Sequence, residues 1–182
     1  MALNSSGVIS IGGSTVGQSI NLELIRSATT QSNLNESALR TLAGKASGAI
    51  ALSDFYGKGI TLNNQTVVRS TNFGTTAVAS ITYTTGGDVN SSVSGDVDDW
   101  INPKAAASSN YYISATVISY SPDEPLGNFN DWEAMSSNRQ WSLSRSGLNP
   151  GTSEAVIEIS IGNSTGSVVL DTCQITLTCE VN

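Results

Sequence analysis

From Ile60 onward the pattern of apolar and polar positions is strand after strand, with candidate strands at 60–70, 76–84, 89–94, 111–119, 139–146, 153–162 and 167–179. Turn signals such as Gly86-Gly87, Asn149-Pro150-Gly151 and Gly162-Asn163 separate them. A period of two is that of a strand with one buried face, and seven such strands with short breaks predict an Ig-like antiparallel β-sandwich. Tyr83, Tyr112, Trp141, Val156 and Ile159 are its candidate core residues. Two polar stretches, 95–110 with Trp100 and 120–137 with Trp132, interrupt the pattern. Long loops on a sandwich are where contacts to partners usually sit.

Before residue 59 the pattern changes. Gly7-Val8-Ile9-Ser10-Ile11-Gly12 alternates between glycines, and Ser19–Leu24 places Ile20, Leu22 and Leu24 at strand period, so two short extended segments are expected at 7–12 and 19–24. One helix follows, with Asn33 or Asn35 as N-cap, Glu36 in its first turn, Leu39, Leu42 and Ala43 on one face, and Gly44 as its stop. It is too short to stand alone. The Ala49–Leu52 segment or a neighbouring subunit is its expected partner. Two aromatics and a Gly-Lys-Gly at residues 55–59 then mark a boundary between a docking region, 1–58, and a sandwich domain, 59–182. With little apolar bulk to offset its ordering entropy, the first region reads as built to dock on another protein. Ile20, Leu22, Leu24, Leu39, Leu42, Phe55 and Tyr56 are the expected contact residues there, joined by Trp100 and Trp132 in the sandwich loops.

Composition narrows the chemistry. Charged residues are 13% of the chain, so solubility rests on Ser, Thr, Asn and Gly, which also suit strands and turns. The net charge of −7, with basic residues scattered singly, argues against a nucleic-acid partner. No run approaches the ~18 apolar residues of a membrane helix, and the first residues lack the basic and apolar segments of a signal peptide, so synthesis in a cytoplasm without an export signal is expected. Histidine is absent, which removes the usual nucleophile pairs and the commonest transition-metal ligand. Gly12-Gly13-Ser14-Thr15 lacks a P-loop lysine and reads as a turn. Asp96-Val97-Asp98-Asp99 lacks the Gly and Glu of a calcium loop and reads as a solvated acidic turn. The expectation is a non-enzymatic protein with no cofactor and no metal. Cys173 and Cys179 fall in one strand, six residues and roughly 20 Å apart, beyond disulfide reach. They read as two small buried hydrophobes on the face of Ile175 and Leu177.

A resemblance adds what patterning cannot. Ser6–Gly13, Gly17–Leu24, Ser27-Ala28-Thr29, Arg40–Gly44, Ala46–Ile50 and Phe55-Tyr56-Gly57-Lys58 resemble the N-terminal region shared by many virion structural and tail-fibre-like proteins of tailed phages. The likeness covers residues 4–58. It departs from the family pattern at Ile25, where a glycine is usual, and at Ser32-Asn33, where an apolar residue and a serine are usual. The second half, through Trp100, Tyr112–Val117, Trp132, Arg139–Leu143 and Thr176–Val181, is similar to a β-sandwich module of phage tail-associated proteins. The resemblance implies a location in the virion and, as partners, other virion proteins and copies of the chain itself. A tail, baseplate or fibre-attachment component is the leading expectation. A capsid decoration (cement) protein and a host-surface glycan-binding module using the loop tryptophans are the alternatives. No membrane partner is implied.

Overall fold

The computed structural model describes residues 2–83, 89–91, 101–102 and 111–182. Among the described residues ten strands follow residue 59: β1 (Thr61–Leu62), β2 (Gln65–Thr71), β3 (Ala77–Tyr83), β4 (Val89–Ser91), β5 (Ile101–Asn102), β6 (Tyr112–Ser121), β7 (Glu133–Ala134), β8 (Arg139–Arg145), β9 (Gly151–Gly162) and β10 (Val169–Val181). A five-stranded sheet ordered β2-β10-β9-β6-β7 faces a three-stranded sheet ordered β4-β3-β8, and β1 pairs with β5 at the side. This is the expected Ig-like sandwich. All seven candidate runs have a strand in them, the first being broken at Asn63-Asn64 into β1 and β2. The two-residue strands β5 and β7 were too short to leave a period.

One pairing departs from the antiparallel expectation. β2 lies parallel to β10, with Gln65 opposite Ile175 and Thr71 opposite Val181. Antiparallel neighbours can be joined by a hairpin, whereas a parallel pair needs a crossover. Here β3 to β9 all lie in the connection between the two. β10 consequently occupies an interior position, with β9 antiparallel on its other side.

The side-chain alternation builds one core between the sheets. β9 turns Ala155, Ile157, Ile159 and Ile161 inward, and β10 adds Ile175, Leu177 and Val181. Ala77, Ala79, Ile81 and Tyr83 of β3, with Trp141 and Leu143 of β8, meet them from the smaller sheet. Two expected core residues need correction. Tyr112 and Val156 are only half-buried, because in a strand a one-residue error of phase moves a side chain to the opposite face. Tyr111 and Ala155 are the buried residues beside them. The buried aromatics satisfy their polar ends: the Tyr83 hydroxyl donates to Met135 O at 2.8 Å and Trp141 Nε1 to Asn128 O at 3.0 Å. Both cysteines are free and buried on the core face. Burial, with the Asp171 and Glu158 charges adding to it, pushes the Cys173 thiol up to about 12. Cys179 Sγ accepts from Ala79 N at 3.2 Å and donates to Leu143 O at 3.1 Å.

The N-terminal region differs more from expectation. Residues 19–24 do not form a strand: α1 (Ile20–Glu23) is one helical turn capped by the Ser19 hydroxyl, which accepts from Leu22 N at 3.3 Å. Residues 7–12 likewise form no strand, and contribute a single bridge, Ser10 to Ser19. Six residues with three alternating apolar positions fit either a strand or a helical turn, and the cap, together with burial at i and i+4 in Ile20 and Leu24, decides for the turn. The predicted helix exists as α2 (Ser37–Ala43), stopped at Gly44 in the left-handed conformation (φ 71°). Its N-cap is Glu36 rather than either asparagine. Asn33 instead shapes the preceding turn, accepting from Asn35 N at 2.9 Å, while Glu36 Oε1 accepts from Asn33 N at 2.8 Å. Leu3, Ile9, Ile20, Leu24, Leu39, Leu42, Ala43 and Phe55 form a second, smaller cluster, with Ile50 packed against it. Thus α2 is covered by its own chain.

Candidate functional site

The two clusters meet at one end of the sandwich, around Glu23. This side chain closes α1 and is 1% exposed. Its Oε1 accepts from Ile60 N at 3.1 Å, and its backbone carbonyl accepts from the Tyr111 hydroxyl at 3.1 Å. The first bond ties α1 to the residue before β1 and the second to the residue before β6. A Cβ on Gly59 would stand 2.5 Å from Glu23 Oε1 and 2.6 Å from Ala2 Cα, so only glycine fits there. Burial is the largest influence on the carboxyl and raises it from 4.5 to about 7. The amino-terminal charge and the Ile60 N–H act against that rise, and the nearby Asp171 adds to it.

Next to Glu23 stands Ile25 in the left-handed region at φ 51°, where a β-branched residue costs roughly 1–2 kcal/mol. The conformation ends α1 in a tight reversal, with Ile25 N donating to Leu22 O at 2.9 Å and Arg26 N to Asn21 O at 2.7 Å. Glycine would suit the backbone better. The isoleucine contributes something glycine lacks, because its side chain packs against the sandwich core. Beside it a recess of about 310 Å³ is lined by Leu22, Ile25, Arg26, Ser27, Asn163 and Val168. Its polar groups already have partners: Arg26 pairs with Glu36 at 2.6 Å, and Asn163 bonds Ser167 Oγ and Val168 N. Buried Asn21 braces the following loop, donating to Thr30 O at 2.9 Å and accepting from Ser32 Oγ at 2.9 Å.

Placement of the expected contact residues is mixed. Ile20, Leu24, Leu39, Leu42 and Phe55 are interior residues of the small cluster, so they cannot themselves form a docking face. Leu22 is half-buried at the recess. Tyr56 is on the surface and its hydroxyl donates to Gly7 O at 2.6 Å. Trp132 is half-buried and lies against Gly162 at the end of β9 and Gly166 of the β9–β10 turn; at Gly166 an added Cβ would collide with its ring. It caps the sandwich end that carries Glu23. Trp100 and the Asp96–Asp99 cluster lie outside the described residues.

Of the apolar residues that remain on the surface, only Tyr56 was singled out from sequence. In the N-terminal region Val8 (70% exposed), Val16, Leu52 and Tyr56 face solvent. At the opposite end of the sandwich Phe73 (62%) and Leu148 (73%) sit on the β2–β3 and β8–β9 turns, which are joined by Gly74 N donating to Gly147 O at 2.8 Å. The signal was there as large apolar residues inside turn sequences, Asn72-Phe73-Gly74 and Gly147-Leu148-Asn149. Among the described residues, no three Cys, Asp or Glu side chains come together as a metal cluster would require.

The comparisons with known proteins add little to this picture. No protein-family model matches the chain, and no curated protein matches it. Among solved structures it is similar to an ASH / PapD-like domain of human CEP192 (PapD-like domain 7), at 8% identity and a TM-score of 0.36, covering 68% of this chain and 84% of that one.

Proposed function

We propose that the chain is a non-enzymatic structural protein of a tailed-phage virion, a tail, baseplate or fibre-attachment component. The likeness of residues 4–58 to phage N-terminal regions supports the setting. The observation that carries the structural role is the two-ended build. The N-terminal region is seated through Glu23, Ile25 and Tyr111 on one end of a sandwich, and the opposite end presents Phe73 and Leu148. Exposed apolar residues at both ends, beside others such as Ile118, Tyr120 and Leu126, suit a subunit held between neighbours. Attachment through the N-terminal region falls to its surface residues Val8, Val16, Leu52 and Tyr56, since the residues beneath them are interior. The Trp132 ring, lying over the β9–β10 turn, favours this reading over a glycan platform.

Counting copies per purified particle by quantitative mass spectrometry, with a cryo-EM map to locate them, tests the proposal. About a dozen copies or fewer at the tail are expected from closed symmetric assembly. Absence from particles would overturn the virion reading, and hundreds of copies on the shell would replace the tail by the decoration role.

A further inference from the structure

Charge is divided unevenly between the two parts of the chain. Residues 1–58 hold Arg26, Arg40, Lys45 and Lys58 against Glu23, Glu36 and Asp54, a net +1, so residues 59–182 carry −8 within the total of −7. Two of the four cations are neutralised locally, Arg26 by Glu36 at 2.6 Å and Lys45 by Asp54 at 2.8 Å. Arg40 bonds only uncharged oxygens: Asn35 Oδ1 at 2.7 Å, Gly48 O at 3.0 Å and Lys45 O at 3.3 Å. Among the described residues no carboxylate pairs with Arg40 or Lys58. Both line a groove at the C-terminal end of α2. It consists of a recess of about 510 Å³ bearing Arg40 and one of about 320 Å³ bearing Lys58, which share Thr41 and Gly44.

The complementary surface is on the sandwich. Glu154 and Glu158 of β9 and Glu180 of β10 point away from the core on the five-stranded sheet, opposite Thr178, Gln174 and Thr152. None has a basic partner among the described residues, and Glu180 accepts only from Ser70 Oγ at 2.6 Å. The middle of that face is formed by Thr66, Val68, Val156 and Thr176, small side chains that leave it low enough for close approach. A cationic groove and an anionic face with unspent charge, on different parts of one chain, are complementary across two copies.

We infer that the chain associates with itself head to tail, the Arg40/Lys58 groove of one copy receiving the Glu154/Glu158/Glu180 face of the next. Because the two surfaces differ, the contact repeats from copy to copy and produces a ring where the rotation closes and a filament where it does not. The inference does not depend on the virion reading.

Sedimentation velocity of the full chain at about 20 mM and about 0.5 M salt tests it, since exposed charge pairs are screened over that range. Mass should grow with concentration at low salt and fall to the monomer at high salt. Apolar association through Phe73 and Leu148 would instead persist or strengthen with salt. Lys58→Glu and Glu154→Lys change only surface positions, and each should abolish low-salt association with an unchanged thermal midpoint. Mixing the two variants should restore pairing, because the intact groove of Glu154→Lys meets the intact face of Lys58→Glu, and growth beyond pairs then requires the two reversed positions to meet. A monomer at every salt concentration overturns the inference. So does association that survives both reversals, or association lost with Lys58→Glu and kept with Glu154→Lys, which would assign the groove to some other acidic surface.

Discussion

The Glu23 carboxyl holds a proton to higher pH than an exposed glutamate because burial penalises its charged form. A folded-state value near 7 against an ordinary 4.5 means that the folded protein binds more protons than the unfolded chain between those limits. Stability from this group is therefore full below pH 4.5, declines as pH rises, and levels off above 7. The swing is on the order of 3 kcal/mol. Glu36 and Asp54 have the opposite sense: bonds to the Asn33 and Ala51 amides, with Arg26 and Lys45 beside them, hold both carboxyls below their usual range, so their contribution is lost only in acid. Among the described carboxyls whose range is displaced, the window from pH 5 to 7 thus isolates Glu23. Thermal midpoints of Glu23→Gln should lack the decline the parent protein shows across that window, and an unchanged decline would count against the buried carboxyl as its source. Ile25 teaches a related lesson. Ile25 stands at a position whose backbone would suit glycine, and the packing of its side chain on the sandwich accounts for the isoleucine.

Among the elements, α1 depends most on a single side chain. The Ser19 hydroxyl is 1% exposed and caps a helix of one turn. Ser19→Ala should lower stability by about 1 kcal/mol, measurable by urea denaturation, while a residue at the same position that keeps a hydroxyl, in Ser19→Thr, should retain most of it. Long strands were most legible in the sequence where the side chains alternate with one face buried. β9 is the clearest case, with Ala155, Ile157, Ile159 and Ile161 inward and Glu154, Val156, Glu158 and Ser160 outward. α1 was not legible, since three apolar residues at 20, 22 and 24 fit a strand equally well and its buried Asn21 and Glu23 read as polar. The parallel neighbour of β10 was hidden for another reason: periodicity reports which face is buried and carries no information about which strand lies alongside. The same limit applies to the contact residues. Apolar character marked Ile20, Leu39 and Phe55 correctly as residues that bury themselves, but could not say that their partner is the chain itself.

In the whole molecule the small cluster has eight buried apolar residues and leans on the sandwich through the Glu23 and Tyr111 bonds and the Ile25 side chain. So few residues give it a narrow margin of its own. Truncating Leu39, which is fully buried, should cost roughly 2–5 kcal/mol and consume that margin. Amide hydrogen exchange in Leu39→Ala should then accelerate across α2 while β9 and β10 keep their protection. Equal acceleration in both would mean that the two clusters open as one cooperative unit and that residue 58 is no physical boundary.

The placement of β10 between β2 and β9 also governs when the fold can exist. β2 must wait for a neighbour 110 residues further along, as the Asn64–Gln174 bond measures, which at ribosomal speed is a delay of roughly 5–20 s. During that interval β9 can pair with β6 but has nothing on its other edge, and the five-stranded sheet stands split. The nascent chain therefore offers two open strand edges to its surroundings until its last strand arrives. Its yield in a cell should be limited by what shields those edges in time more than by the stability of the finished sandwich.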